Sequence, residues 1–276
     1  MRIPSFLRAA PSAFLSRMTF TAALVASQLM TPAYAALQDE IQVYDDSIND
    51  PGEFGLELHV NTTPRGIATP SYPGEKVSLH GWRLTPEFSW GLTRTVELGL
   101  YVPTVLDANG TYQLAGLKGR VKWLPIRPEG DDGIGWFAGF NFELAQVRAE
   151  YDPARVGTES KLILGHRSQN GFLGFNLNIG NEIEGPNSGD RPDIEYAFKG
   201  MRELGSGWSA GAEYYIGTGA IGRPLPSDQQ ERRFFLIAEI DRKPWEFHFG
   251  IGKGLTSATD DLTLKFIAEI PVNLLR

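Results

Sequence analysis

Along most of this chain apolar and polar residues alternate one for one, and the apolar member of each pair is large. Phe54, Leu56, Leu58 and Val60 stand against Glu53, Gly55, Glu57 and His59. Trp208, Ala210, Ala212, Tyr214 and Ile216 alternate with Ser209, Gly211, Glu213 and Tyr215, and Leu262, Leu264, Phe266, Ala268 and Ile270 with Thr263, Lys265 and Glu269. A period of two belongs to a β-strand, whose successive side chains point to opposite faces. The pattern predicts twelve strands: 53–61, 79–90, 94–103, 113–124, 135–147, 158–167, 171–181, 193–203, 207–217, 231–241, 244–254 and 261–270. A dozen strands with charges on one face and bulky apolar rows on the other describe an all-β fold, a transmembrane antiparallel up-and-down β-barrel.

The start of the chain reads as an address. Arg2, Arg8 and Arg17 form a basic opening without an acid, Met18 to Met30 is a mostly apolar run too short to span a bilayer, and Ala33-Tyr34-Ala35 has the small-x-small cleavage pattern. Residues 1–35 are therefore expected to be a cleaved signal peptide, leaving a periplasmic N-terminal segment over 36–52, the barrel over 53–270 and a periplasmic tail over 271–276. Losing three arginines takes the formal charge from −7 to −10, a balance that argues against nucleic acid as a partner. No later segment reaches the roughly 18 uninterrupted apolar residues of a membrane helix. With no cysteine, a lipidated N-terminal Cys, a disulfide framework and any thiolate site are excluded.

Connection lengths alternate. Residues 91–93, 168–170, 204–206 and 242–243 are short links, while 62–78, 104–112, 148–157, 182–192 and 218–230 are longer and rich in Gly, Pro and charge; 125–134 and 255–260 depart from the alternation. Outer-membrane barrels have short periplasmic turns and long external loops. All six tryptophans, Trp82, Trp90, Trp123, Trp136, Trp208 and Trp245, fall on the apolar parity, and all but Trp82 fall at the end assigned to the periplasm. Indole rings favour the membrane interface, so these are expected to form a lipid-facing girdle. The expected location is the cell outer membrane.

The runs Glu40-Ile41-Gln42-Val43-Tyr44-Asp45-Asp46, Pro51-Gly52-Glu53-Phe54-Gly55-Leu56-Glu57 and His80-Gly81-Trp82-Arg83-Leu84-Thr85-Pro86-Glu87 resemble a group of Gram-negative, proteobacterial outer-membrane barrels of the small-solute transporter or channel type. More distantly they are similar to barrels of the phenol-degradation pathway, which are regarded as transporters. The resemblance spans nearly the whole mature chain and carries no catalytic residue. Such barrels usually end on an aromatic residue read by the outer-membrane assembly machinery, whereas this chain ends Pro271-Val272-Asn273-Leu274-Leu275-Arg276.

The inward parity places Glu57, His59, Arg83, Glu87, Glu97, Lys118, Arg120, Lys122, Glu143, Lys161, Glu213, Arg233, Glu239, His248 and Lys265 on the lumen, with Glu159, Glu195, Lys199, Glu246 and Glu269 beside them. Side chains fill much of so small a lumen. Two readings follow: an interior salt-bridge lattice that stiffens the wall, or a narrow charge-lined passage for an unidentified small solute, with a modest acidic excess favouring cations weakly. The leading expectation is a channel or transporter, with outer-membrane lipid and the assembly machinery as partners. The alternative is a non-conducting structural or surface-interaction barrel.

An outer-membrane hydrolase comes third. His166-Arg167-Ser168 has the His-x-Ser spacing of a known 12-stranded phospholipase class, with Asn176 and Asn178 on the next strand. But a base must reach its nucleophile's proton, and the asparagines take the lumenal parity, away from His166. Gly217-Thr218-Gly219-Ala220-Ile221-Gly222 spells the dinucleotide fingerprint, yet it follows a barrel strand and opens no helix. His59, His80, His166 and His248 lack metal-motif spacing along the chain, and no metal, cofactor or catalytic residue is expected.

Overall fold

A computed structural model describes residues 39–128, 133–270 and 272. The leader expected over 1–35, and all of the tail but Val272, lie outside those residues. The strands are β1 (Phe54–Arg65), β2 (Trp82–Gly91), β3 (Val96–Tyr101), β4 (Thr104–Leu106), β5 (Tyr112–Leu114), β6 (Gly116–Ile126), β7 (Gly135–Val147), β8 (Val156–Ser168), β9 (Gly171–Glu184), β10 (Asp193–Gly205), β11 (Trp208–Ala220), β12 (Glu231–Arg242), β13 (Trp245–Gly254) and β14 (Leu262–Ile270).

Every pairing in the sheet is antiparallel, and the strands follow one another in sequence order around it except where β3 pairs with β6 and β4 with β2. β1 pairs with β14 on one side and with β2 on the other, which closes the ring and leaves no edge. The circuit has twelve staves, because β3–β4 and β5–β6 are each one stave interrupted once. The interruptions face each other. Pro103 has no N–H to give a ladder, and its carbonyl instead accepts from Ala115 N at 2.8 Å. The third and fourth strands expected from the sequence, 94–103 and 113–124, are thus broken staves. The second begins at Trp82 and not at residue 79, with Leu79 making an isolated bridge to Thr63.

The two faces of this wall reverse the order of a soluble protein. Phe88, Leu117, Phe140, Phe142, Leu144, Leu162, Leu173, Phe198, Leu236, Phe249 and Ile251 are exposed on the outside. Arg120, Lys122, Glu87, Glu143, Lys161, Lys199, Glu213 and Lys265 are buried on the inside. An apolar outer band with every backbone group paired around a closed ring is what a lipid bilayer demands.

The segment before β1 is the main departure from the sequence reading. Residues 39–49, expected on the periplasmic side, contact the inner wall of the ring, while Asp50 is exposed. Ile41, Val43 and Tyr44 are buried, and they pack in one cluster with Phe137, Ile163, Phe172, Ala197, Met201, Tyr215, Phe235 and Ile237 from the inner wall. The physical reason is on the wall itself: those inward apolar side chains have no water-compatible role and are covered only if an apolar segment enters the lumen.

Candidate functional site: a plugged lumen

The segment is held from all sides. At its inner end Lys118 on β6 bonds Asp39 at 2.6 Å, and Lys265 on β14 donates to Ile41 O at 2.9 Å. Tyr44 sits at the centre. Its backbone is bracketed by Asn176 on β9, its hydroxyl meets Tyr101 on β3 at 2.6 Å and donates to Glu143 on β7 at 3.2 Å. Its ring lies among three cations, with Lys161 Nζ 4.4 Å, Lys122 Nζ 5.2 Å and the Arg120 guanidinium 5.7 Å from the centroid, within the range of cation–π attraction. Nearer the short-turn end, Arg167 on β8 pairs with Asp46 at 2.6 Å, Lys122 donates to Ser47 O at 2.6 Å, and Asn49 bonds both Glu97 and Ser89. A segment touching β2, β3, β6, β7, β8, β9 and β14 of one closed ring passes through its middle.

Each hydrogen bond between residues 39–49 and the wall uses a wall side chain. The segment joins no ladder, and it makes no strand. A cavity of about 40 Å³ beside it is lined by Asp45, Arg167, Phe172, Lys199, Met201 and Glu239, which holds a few waters at most.

The charged residues expected on the lumen form a lattice of pairs. Arg120 binds Glu87 and, at 2.7 Å, Glu97; it lies flat over Gly99, where a Cβ would come within 2.5 Å of it. Lys161 pairs with Glu143 at 2.9 Å and Glu159 at 2.5 Å, Arg233 with Glu195 at 3.0 Å, Lys199 with Glu239 at 2.5 Å, and Lys265 with Glu213. His59 Nε2 is 3.1 Å from Glu87 and 3.7 Å from Glu57, and His248 contacts Glu239 at 3.1 Å. Arg83 is buried on β2. Trp82, Trp90, Trp123, Trp136, Trp208 and Trp245 are all exposed on the outer face.

Two stretches of the ring carry rows rich in one sign, although Glu143 and Glu159 stand among the cations and Lys265 and Arg83 among the acids. Lys118, Arg120, Lys122, Lys161, Arg167 and Lys199 occupy β6, β8 and β10, while Glu246, Glu269, Glu57 and Glu87 are direct cross-strand partners on β13, β14, β1 and β2. The plug's acids Asp39 and Asp46 bind the basic side. The hydrolase constellation does not assemble. His166 packs edge-on against Trp136 with centroids 4.8 Å apart, Ser168 closes a turn on Gly171 O, and Asn176 is committed to Tyr44.

Tyr44, Tyr101, Asn176 and Arg167 are the residues that reading the sequence for charge passed over. Tyr101 and Asn176 do stand on lumenal parity, but nothing local marks them as anchors for a segment 57 and 132 residues away.

No protein-family model matches the chain, and no curated protein is significantly similar to it in sequence. Solved structures do share its architecture. An outer membrane channel from Pseudomonas putida F1 matches with a TM-score of 0.50 and 12% identity, over 84% of this chain and 100% of that one. The KdgM porin matches at 0.52 and 7%, and the NanC porin at 0.51 and 6%, each over 78% of this chain and 97% of the porin. The fold is that of an outer-membrane β-barrel. At these identities the likeness speaks for the architecture alone.

Proposed function

We propose that this barrel is a gated outer-membrane channel for a small solute, with residues 39–49 as the plug. The observation that carries the reading is the kind of attachment: besides the apolar contacts of Ile41, Val43 and Tyr44, the plug is held by side-chain hydrogen bonds and ion pairs, each of which water or a solute can replace, and by no backbone ladder. Release into the mouth would exchange those bonds one by one. The channel and porin neighbours of the same architecture support the reading.

The charge of the open state differs from the simple acidic excess of the lumenal sequence. Lys118, Lys122 and Arg167 spend their charge on Asp39, Ser47 O and Asp46. Once the plug leaves, these cations line the passage without partners, while Glu143 and Glu195 keep theirs. The favoured solute is therefore a small anion, whose carboxylate or similar group takes the place of the plug's aspartates. Charge-assisted bonds of this kind are the stronger ones, so the solute itself would favour the open state. A closed structural barrel is the competing account, favoured by the density of ion pairs. Liposome swelling with small carboxylates against neutral solutes of equal size tests the choice: faster uptake of the anions supports the channel, and no uptake of either supports the closed barrel.

A further inference from the structure

The acidic side of the lumen holds a row of carboxylates that the lattice offsets only in part, with Arg120 on Glu87 and His248 on Glu269 at 3.5 Å. Glu246, Glu269, Glu57 and Glu87 are in direct cross-strand register on four adjacent strands. Like charges so placed destabilise a sheet. His59 stands among them, fully buried on β1, with Nε2 at 3.1 Å from Glu87 Oε2 and 3.7 Å from Glu57 Oε2. The plug brings one more carboxylate: Glu40, His59 and Glu87 each present a donor atom within 4.8 Å of the other two.

A second observation points to a ligand at this spot. Glu40 Oε1, Glu57 Oε2, His59 Nδ1 and Thr85 Oγ1 are buried polar atoms without a hydrogen-bond partner, and His59 and Thr85 are themselves register partners. Buried polar groups are normally satisfied, and a cluster that is not calls for an ion or water. Donor spacing is compatible with an ion that would replace the hydrogen bond between His59 Nε2 and Glu87 Oε2. Two ligand atoms each about 2.0–2.2 Å from a tetrahedral ion stand about 3.3–3.6 Å apart, and the two His59 distances bracket that value. An imidazole with carboxylates suits zinc or its first-row neighbours and is unsuited to calcium, which takes oxygen donors alone.

We infer that Glu40, His59 and Glu87, with Glu57 adjacent, form a site for a divalent first-row metal ion that ties the plug to the wall. Glu40 is on the movable segment and the other donors are on β1 and β2, so the ion fastens the plug in place. Arg120 on Glu87 is the competing cation and sets a limit on affinity. The inference rests on the plug reading above, but it is read without any current.

The test uses the folded mature protein in detergent, stripped with a chelator and titrated with Co²⁺ by absorbance, then with Zn²⁺ in competition. Hydrogen exchange of residues 40–46 is followed alongside. The expected result is stoichiometric binding that Glu40→Gln weakens at least about tenfold, as loss of a metal-site group does, with His248→Ala leaving it unchanged. Zn²⁺ should slow exchange of the plug at least about tenfold in the parent and not in Glu40→Gln. Glu40 is outside the wall, so that variant should still show the folded band on an unboiled gel. Absence of binding in the parent overturns the inference, as does binding that Glu40→Gln leaves intact or that His248→Ala removes. Failure here leaves the channel to be judged by conductance alone.

Discussion

Asn176 grips Tyr44 as a neighbouring strand would. Its Oδ1 accepts from Tyr44 N at 2.6 Å and its Nδ2 donates to Tyr44 O at 3.0 Å, so one buried amide satisfies both backbone groups of a residue that has no ladder. Unmade, these two groups would each cost about 1–3 kcal/mol in a dry lumen.

That clamp gives the first prediction. Asn176→Ala should leave the barrel folded and heat-modifiable, since β9 keeps both ladders, while the plug loosens. Faster hydrogen exchange at residues 41–47 and more frequent openings in a bilayer are the expected outcome. Unchanged exchange would mean that the clamp contributes nothing to holding the plug.

Arg120 tests the lattice. It serves Glu87 and Glu97 together in a buried setting, and removing one partner of a buried pair costs about 3–5 kcal/mol because the remaining charges are stranded. Arg120→Gln should therefore destabilise strongly in refolding titrations, and adding Glu97→Gln should recover part of the loss. A purely additive double variant would show that the pair is not coupled.

Facing is tested by adjacent residues on β9. Leu177 has the outer parity and Asn178 the inner, where its amide already meets Glu195 at 3.0 Å. Leu177→Arg should cost about 2–4 kcal/mol against lipid, and Asn178→Arg much less, since Glu195 receives the new charge. Equal costs would contradict the assigned faces.

The two-residue period was legible because a strand in a bilayer has no choice of face: Leu56, Leu58 and Val60 must meet lipid, and Glu57 and His59 must not. All twelve staves follow from that rule. The breaks at Pro103 and Ala115 were not legible, because proline and alanine interrupt the wall only where they happen to meet across it. The plug was hidden for a different reason. Asp39, Ile41 and Val43 do alternate inward, but the run is short and finds side chains where a strand would find a ladder. A signal for it was present on the wall: Phe137, Ile163, Phe172, Tyr215 and Phe235 have lumenal parity, and an aqueous bore gives such residues nothing to pack on. The rows rich in one sign were beyond the sequence, since they depend on which of β6, β8 and β10 face the plug's aspartates.

The girdle gives a prediction about depth. Trp90, Trp123, Trp136, Trp208 and Trp245 lie at the short-turn end and Trp82 at the other, where it pairs with Thr62 and Leu106. Lipids brominated at shallow positions should quench all six more than lipids brominated deep in the acyl chain, because indoles seat at the interface. Strongest quenching at the bilayer centre would displace the strand ends along the membrane normal.

Single-channel recording of the parent beside a variant lacking residues 39–49 tests the central claim most directly. The deletion keeps β1 to β14 intact, so the wall should still close. The account expects brief, small openings from the parent and a larger, steady conductance from the deletion, with preference for anions that falls when Lys118, Lys122 and Arg167 are neutralised. Equal conductance of the two proteins, or silence from both while the gel shows a folded barrel, would contradict it.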